Sequence, residues 1–144
     1  MKRIAIFLTI VILIVASVAY MFINYQIKNA NLKKINEPYL NIYNKKINGS
    51  EVATLINRAI DNNKKNNVEK NEEGIYINNG ENSINIEFSM LDDPYKVYYM
   101  ETFYKNDVME FAHYYSDVLF KCTNIQYHQK TGRVSYLYIE QITE

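Results

Sequence analysis

The chain opens on twenty uncharged residues, Ile4 to Ile23, and thereafter its apolar positions fall into short periodic runs. Thirteen of the twenty are Ile, Leu, Val or Phe. A helix of that length is about 30 Å long, the thickness of a bilayer's hydrocarbon core. Transferring those thirteen side chains into lipid is worth on the order of −4 to −8 kcal/mol. Residues 4–23 are therefore expected to enter the lipid bilayer. A signal-peptide layout is present as well: Lys2 and Arg3 precede the apolar run, and Ser17-Val18-Ala19 offers small residues around a cleavage point. The run continues through Tyr20, Met21, Phe22 and Ile23, which suits a retained anchor. Secretion after cleavage following Ala19 is the alternative.

Beyond the anchor the pattern changes several times. Residues 24–38 read as a juxtamembrane stalk that stops at Pro38, because proline disfavours helical geometry at Glu37. A loop or short extended piece then closes on an Asn48-Gly49 turn, and Ser50 is the expected N-cap of a helix. In that helix Val52, Leu55, Ile56, Ala59 and Ile60 recur at helical spacing and form one apolar stripe. Residues 62–74 are polar and read as an exposed loop. From Gly74 the period becomes two. A strand over 75–77, a turn at Asn79-Gly80 and a strand over 83–90 are predicted, with Ile84, Ile86 and Phe88 on one face. A turn at Asp92-Asp93-Pro94 leads into a third, aromatic strand over 95–104.

Helical spacing returns in residues 106–120, where Val108, Phe111, Ala112, Tyr115, Val118 and Leu119 share a face and Asp107 with Glu110 forms a capping pair. Two strands, 121–128 and 133–142, close the chain around a Gly-containing turn. The sum is an α+β fold: an N-terminal transmembrane helix, then a small domain with two amphipathic helices packed on a mostly antiparallel sheet of about five strands. The expected organisation is a short cytoplasmic tail at 1–3, the span at 4–23, the stalk at 24–38 and an extracytoplasmic domain at 39–144.

Charge is unevenly divided although the formal total is zero. Residues 1–38 carry five basic side chains and one acidic, a net of +4; residues 39–144 carry eleven basic and fifteen acidic, a net of −4. An acidic body repels a phosphate backbone, so no nucleic-acid partner is expected. Lys28, Lys33 and Lys34 lie on the far side of the span from Lys2 and Arg3, and charge alone leaves orientation undecided. The very short N-terminal tail points to the N-terminus inside and the C-terminal domain outside the cell membrane. With a single cysteine, Cys122, no internal disulfide forms and the core alone must hold the domain.

Catalytic chemistry is sparse. Cys122 with His113 or His128 is the one nucleophile–base combination, and a thiolate nucleophile needs an adjacent base. His113 and Asp117 stand one helical turn apart, but two ligands do not complete a metal site. Neither a metal nor a cofactor is expected. Tyrosine stands out instead: nine of the fourteen fall between Tyr95 and Tyr138. Interfaces favour tyrosine because it joins apolar contact area to a polar tip. In Ser135-Tyr136-Leu137-Tyr138-Ile139, the two tyrosines share one strand face and Leu137 and Ile139 the other. Tyr98, Tyr136 and Tyr138 are the expected binding residues for a protein or cell-envelope partner.

An N-terminal anchor, a helix opened by Gly49-Ser50-Glu51-Val52 and a β-rich body together resemble small single-anchor exported proteins of AT-rich Gram-positive bacteria. The layout also resembles pilin-like subunits, which join an apolar N-terminal helix to a β domain. The pilin hallmarks of a Gly before the apolar run and a Glu early within it are missing here. The leading expectation is a membrane-tethered, non-enzymatic interaction domain. A pilin-like or secretion-apparatus subunit and an envelope hydrolase using Cys122 are the alternatives.

Overall fold

The computed structural model describes residues 2–143. The chain divides into two units, Met1–Ile35 and Asn36–Glu144. The first is the greater part of helix α1 (Lys2–Leu40), which is long and apolar enough to cross a membrane. None of its apolar window is buried within the protein. Such a surface is unfavourable in water and favourable in lipid.

Helix α1 runs through Pro38 to Leu40, where the sequence predicted a stop. Proline in a helix interior costs about 3 kcal/mol. Tertiary contacts in the second unit offset this. Asn36 is buried, donates from Nδ2 to Gly132 O (2.9 Å) and accepts the Val134 N–H at Oδ1 (3.0 Å). Tyr39 is buried, and that burial pushes its hydroxyl pKa up to about 12. The second unit thus begins at Asn36, three residues before the expected boundary at 39.

Its sheet has five strands: β1 (Lys46–Asn48), β2 (Asn85–Met90), β3 (Asp93–Tyr99), β4 (Leu119–Tyr127) and β5 (Val134–Ile142), in the order β1-β4-β5-β2-β3. Three of the four pairings are antiparallel, and β2–β5 is parallel. Helices α2 (Gly49–Lys65), α3 (Met100–Lys105) and α4 (Val108–Tyr114) pack on this sheet. The architecture is α+β, as the sequence implied, with a mostly antiparallel five-stranded sheet.

The core lies between the helices and one sheet face. Val52, Leu55, Ile56, Ala59 and Ile60 of α2 are all buried, as their spacing predicts. The four larger of these contribute about 6–12 kcal/mol before entropy is counted. They meet Ile86, Phe88 and Met90 of β2, Phe120 and Cys122 of β4, and Leu137 and Ile139 of β5 within one cluster. Phe103 joins α3 to this core, edge-on to Phe88 at 5.1 Å and tilted against Phe111 of α4 at 4.7 Å.

Several local expectations differ from the structure. The N-cap of α2 is Asn48, not Ser50: its Oδ1 accepts the Glu51 N–H at 3.0 Å and Glu51 Oε2 accepts the Asn48 N–H at 2.9 Å. That reciprocal pair is a capping box, satisfying donors the helix itself leaves free. The helix expected over 106–120 ends as α4 at Tyr114, and Leu119 and Phe120 open β4 instead; residues 46–48, read as loop or a short extended piece, form β1 beside β4. The predicted strand over 75–77 makes only an isolated bridge, Lys70 with Tyr76. Asparagine side chains take the backbone bonds of that region instead. Asn71 Oδ1 accepts the N–H of Glu73 and Ile75, and Asn79 Oδ1 accepts those of Glu81, Asn82 and Ser83. Finally, the third predicted strand ends at Tyr99 and becomes α3, because Met100, Phe103 and Tyr104 bring helical spacing and Met100 is fully buried.

Candidate functional site

One face of the sheet is covered and the other is not. Alternation along β5 sends Leu137 and Ile139 to the helices, both fully buried, and leaves Tyr136 and Tyr138 half-buried on the opposite face. Strand register extends this face sideways. Tyr138 stands beside Glu87 of β2, and Glu87 beside Tyr99 of β3; on the other side Tyr138 pairs with Asn124 of β4. One row across four strands therefore reads Tyr99, Glu87, Tyr138, Asn124.

Within this row and the next, polar groups are already arranged. Tyr136 stands beside Asn85 in register, and its hydroxyl donates to Glu87 Oε2 at 2.8 Å. Burial and the adjacent Glu87 carboxylate push the Tyr136 hydroxyl pKa upward, so the phenol keeps its proton and remains the donor. Further along, Lys121 of β4 pairs with Glu140 of β5 and Lys46 of β1. The face thus offers aromatic area with fixed polar tips, a composition that suits contact with another surface.

Tyr98 does not share it. Its register partner is Phe88, a core residue, so Tyr98 stands on the helix-covered face and stacks on Phe103 at 6.0 Å. The structure brings Tyr136 and Tyr138 together and separates Tyr98 from them. Two members of the surface, Glu87 and Tyr99, escaped the sequence reading. The alternation of β2 marked Glu87 as outward-facing, but only the parallel β2–β5 pairing puts it beside Tyr138.

The candidate catalytic residues are dispersed. Cys122 has no exposed surface and its Sγ donates weakly to Asn124 O at 3.5 Å. Burial pushes its thiol pKa up to about 11, away from the thiolate that a nucleophile requires. His128 is buried and held at Nε2 by Ser83 O at 2.7 Å, and His113 is exposed on α4. Neither histidine is hydrogen-bonded to Cys122 among the described residues. No group of three or more metal-binding side chains occurs among them either. No family model, curated protein or solved structure matches the chain, and the functional reading rests on the uncovered sheet face and the apolar helix.

Proposed function

We propose that this chain is a single-pass membrane protein with its N-terminus inside, whose C-terminal domain lies outside and binds a protein or envelope partner. In this reading it is not an enzyme. The observation that carries the proposal is the uncovered sheet face, where Tyr99, Glu87 and Tyr138 align across three strands and Tyr136 is bonded to Glu87. A sheet face of that kind, left bare beside a fully packed opposite face, gains most from a partner that desolvates its aromatic rings. The apolar helix supplies the tether, with lysines after it available to anionic lipid heads.

The test is crosslinking in intact membranes. Alanine at Tyr136 and Tyr138 together is expected to abolish crosslinks to the partner while the domain's melting transition persists. Unchanged crosslinking with both tyrosines removed rejects this face as the contact.

A second reading is favoured by one feature of α1. Its apolar side chains are exposed along the whole span, and its last turn is locked into the domain through Asn36 and Tyr39. Packing of such helices against one another in the membrane fits a pilin-like or secretion-apparatus subunit. Crosslinking that captures only monomer eliminates it.

A further inference from the structure

The two ends of the sheet are unlike. At one end β1 is three residues long; at the other β3 is a seven-residue edge strand paired on a single side, with β2. Among the described residues, no backbone hydrogen bond reaches β3 from any other segment. Half of its N–H and C=O groups therefore point away from the sheet, a row of donors and acceptors ready for another strand.

Beside this edge lies a groove of about 950 Å³, walled on one side by β3 and α3 and on the other by the loop at Lys70–Ile75. It is the place where the structure puts Tyr98. Its lining holds Lys70, Lys96 and Lys105 against Glu73 and Glu101. Glu101 is already engaged, its Oε1 accepting the Tyr76 N–H at 3.0 Å. Burial raises the Glu101 carboxyl pKa and Lys70 lies near enough to oppose that rise, but none of the three lysines forms an ion pair among the described residues. Lys96 lies 4.7 Å over the Tyr98 ring and Lys70 4.5 Å over the Tyr76 ring, while the one ion pair among the described residues, Lys130 with Glu81, lies elsewhere. A cation held over an aromatic face keeps its full charge for a third party. The groove lining carries a net of +1, three lysines against two glutamates, on a domain whose residues 39–144 carry a net of −4.

We propose that the β3 edge and its groove bind an acidic peptide segment of a partner protein in extended form, by strand addition. Main-chain hydrogen bonds to the outer edge of β3 supply affinity, and Lys70, Lys96 and Lys105 select acidic side chains at alternate positions. The same charges disfavour a second copy of this chain. Antiparallel pairing of two β3 edges over Tyr95–Tyr99 would set Lys96 opposite Tyr98 of the second copy and leave both lysines without an acidic partner. Pro94, lacking an N–H, limits the addition to Tyr95–Tyr99, about 17 Å of strand. This site shares only Tyr99 with the uncovered sheet face and does not rest on that face as a binding surface.

The test uses the full chain in nanodiscs and three fluorescent peptides: alternating Glu-Val, alternating Lys-Val, and the Glu-Val peptide N-methylated at alternate residues. The Glu-Val peptide is expected to bind about tenfold or more tighter than either of the others. Amide exchange at Tyr95–Tyr99 is expected to slow on binding. Lys70→Glu with Lys96→Glu should weaken the Glu-Val peptide about tenfold or more, with the melting transition retained. Equal binding of the N-methylated peptide, or of polyphosphate without protection of β3, means attraction to charge alone and overturns strand addition. Failure of every peptide to bind at about 1 mM overturns it too.

Discussion

Gly49 is the residue whose replacement separates this fold from a looser one most cleanly, because two effects of opposite sign meet there. It is the first residue of α2, and a mid-helix Gly→Ala change ordinarily stabilises by about 1 kcal/mol. Here, however, α2 starts against the end of α4. The Gly49 N–H donates to Tyr115 O at 3.1 Å, and a methyl group on Gly49 would lie 2.6 Å from the Tyr115 carbonyl carbon and 2.7 Å from its Cβ. Carbon atoms in contact rest about 3.5–4.0 Å apart. The obstacle is backbone, so no rotamer change relieves it. Either α2 retreats from α4, or the Tyr115 ring loses its packing on Phe111 (4.7 Å) and Phe120 (5.9 Å).

Overpacking of this kind costs about 1–3 kcal/mol, and loss of the hydrogen bond adds about 0.5–1.5. Subtracting the propensity gain leaves Gly49→Ala destabilising by about 0.5–3.5 kcal/mol. At about 4 °C per kcal/mol, thermal unfolding followed by the near-ultraviolet signal of the tyrosines should drop by about 2–14 °C. An unchanged or raised transition would refute the close approach of α2 and α4.

Three further outcomes are expected. Asn48→Ala should lower stability in urea by about 1 kcal/mol, since it removes the N-cap, whereas exposed Ser50→Ala should stay within about 0.5 kcal/mol; the reverse ranking would restore the cap to Ser50. Asn63→Ala should destabilise by about 2–6 kcal/mol, because the fully buried amide pairs with both Ile84 O (2.7 Å) and Ile84 N–H (2.8 Å) and its loss strands two backbone groups; a shift below 1 kcal/mol in the denaturation midpoint analysis contradicts this. Cys122 should resist alkylation in the folded protein at pH 8 and react once denatured. Its raised pKa also has a sign. The folded state holds the proton more tightly, so this contribution to stability is complete below about pH 9 and is lost as pH rises through about 11. Rapid labelling of folded protein at pH 8 would show an accessible thiolate.

What the letters reveal here depends on how far apart the cooperating residues lie. The stripe of α2 and the alternation in β2 and β5 are local periodicities, and each is visible without the rest of the chain. The α2 cap was legible too: Asn48 and Glu51 stand at capping-box spacing, although Asn48-Gly49 also reads as a turn. By contrast, Pro38 is tolerated because Asn36 meets Gly132 and Val134 almost a hundred residues later. No local rule contains that contact. The same holds for the surface. Periodicity put Tyr136 and Tyr138 on one face, but placing Tyr98 required its register with Phe88, and placing Glu87 required the parallel crossover to β5. Asparagine abundance looked like a compositional bias. In the structure Asn36, Asn63, Asn71 and Asn79 each replace backbone partners that regular structure does not provide.

A combined fractionation measures most directly whether the apolar helix tethers the domain to a membrane with the domain outside, as proposed. Membranes from cells expressing the chain with a C-terminal tag are extracted with alkaline carbonate, and intact cells are treated with protease. Full-length protein is expected to stay with the extracted membranes, and protease is expected to remove the tag from unbroken cells. Full-length protein in the soluble fraction, or a tag cut only after lysis, would contradict the proposal.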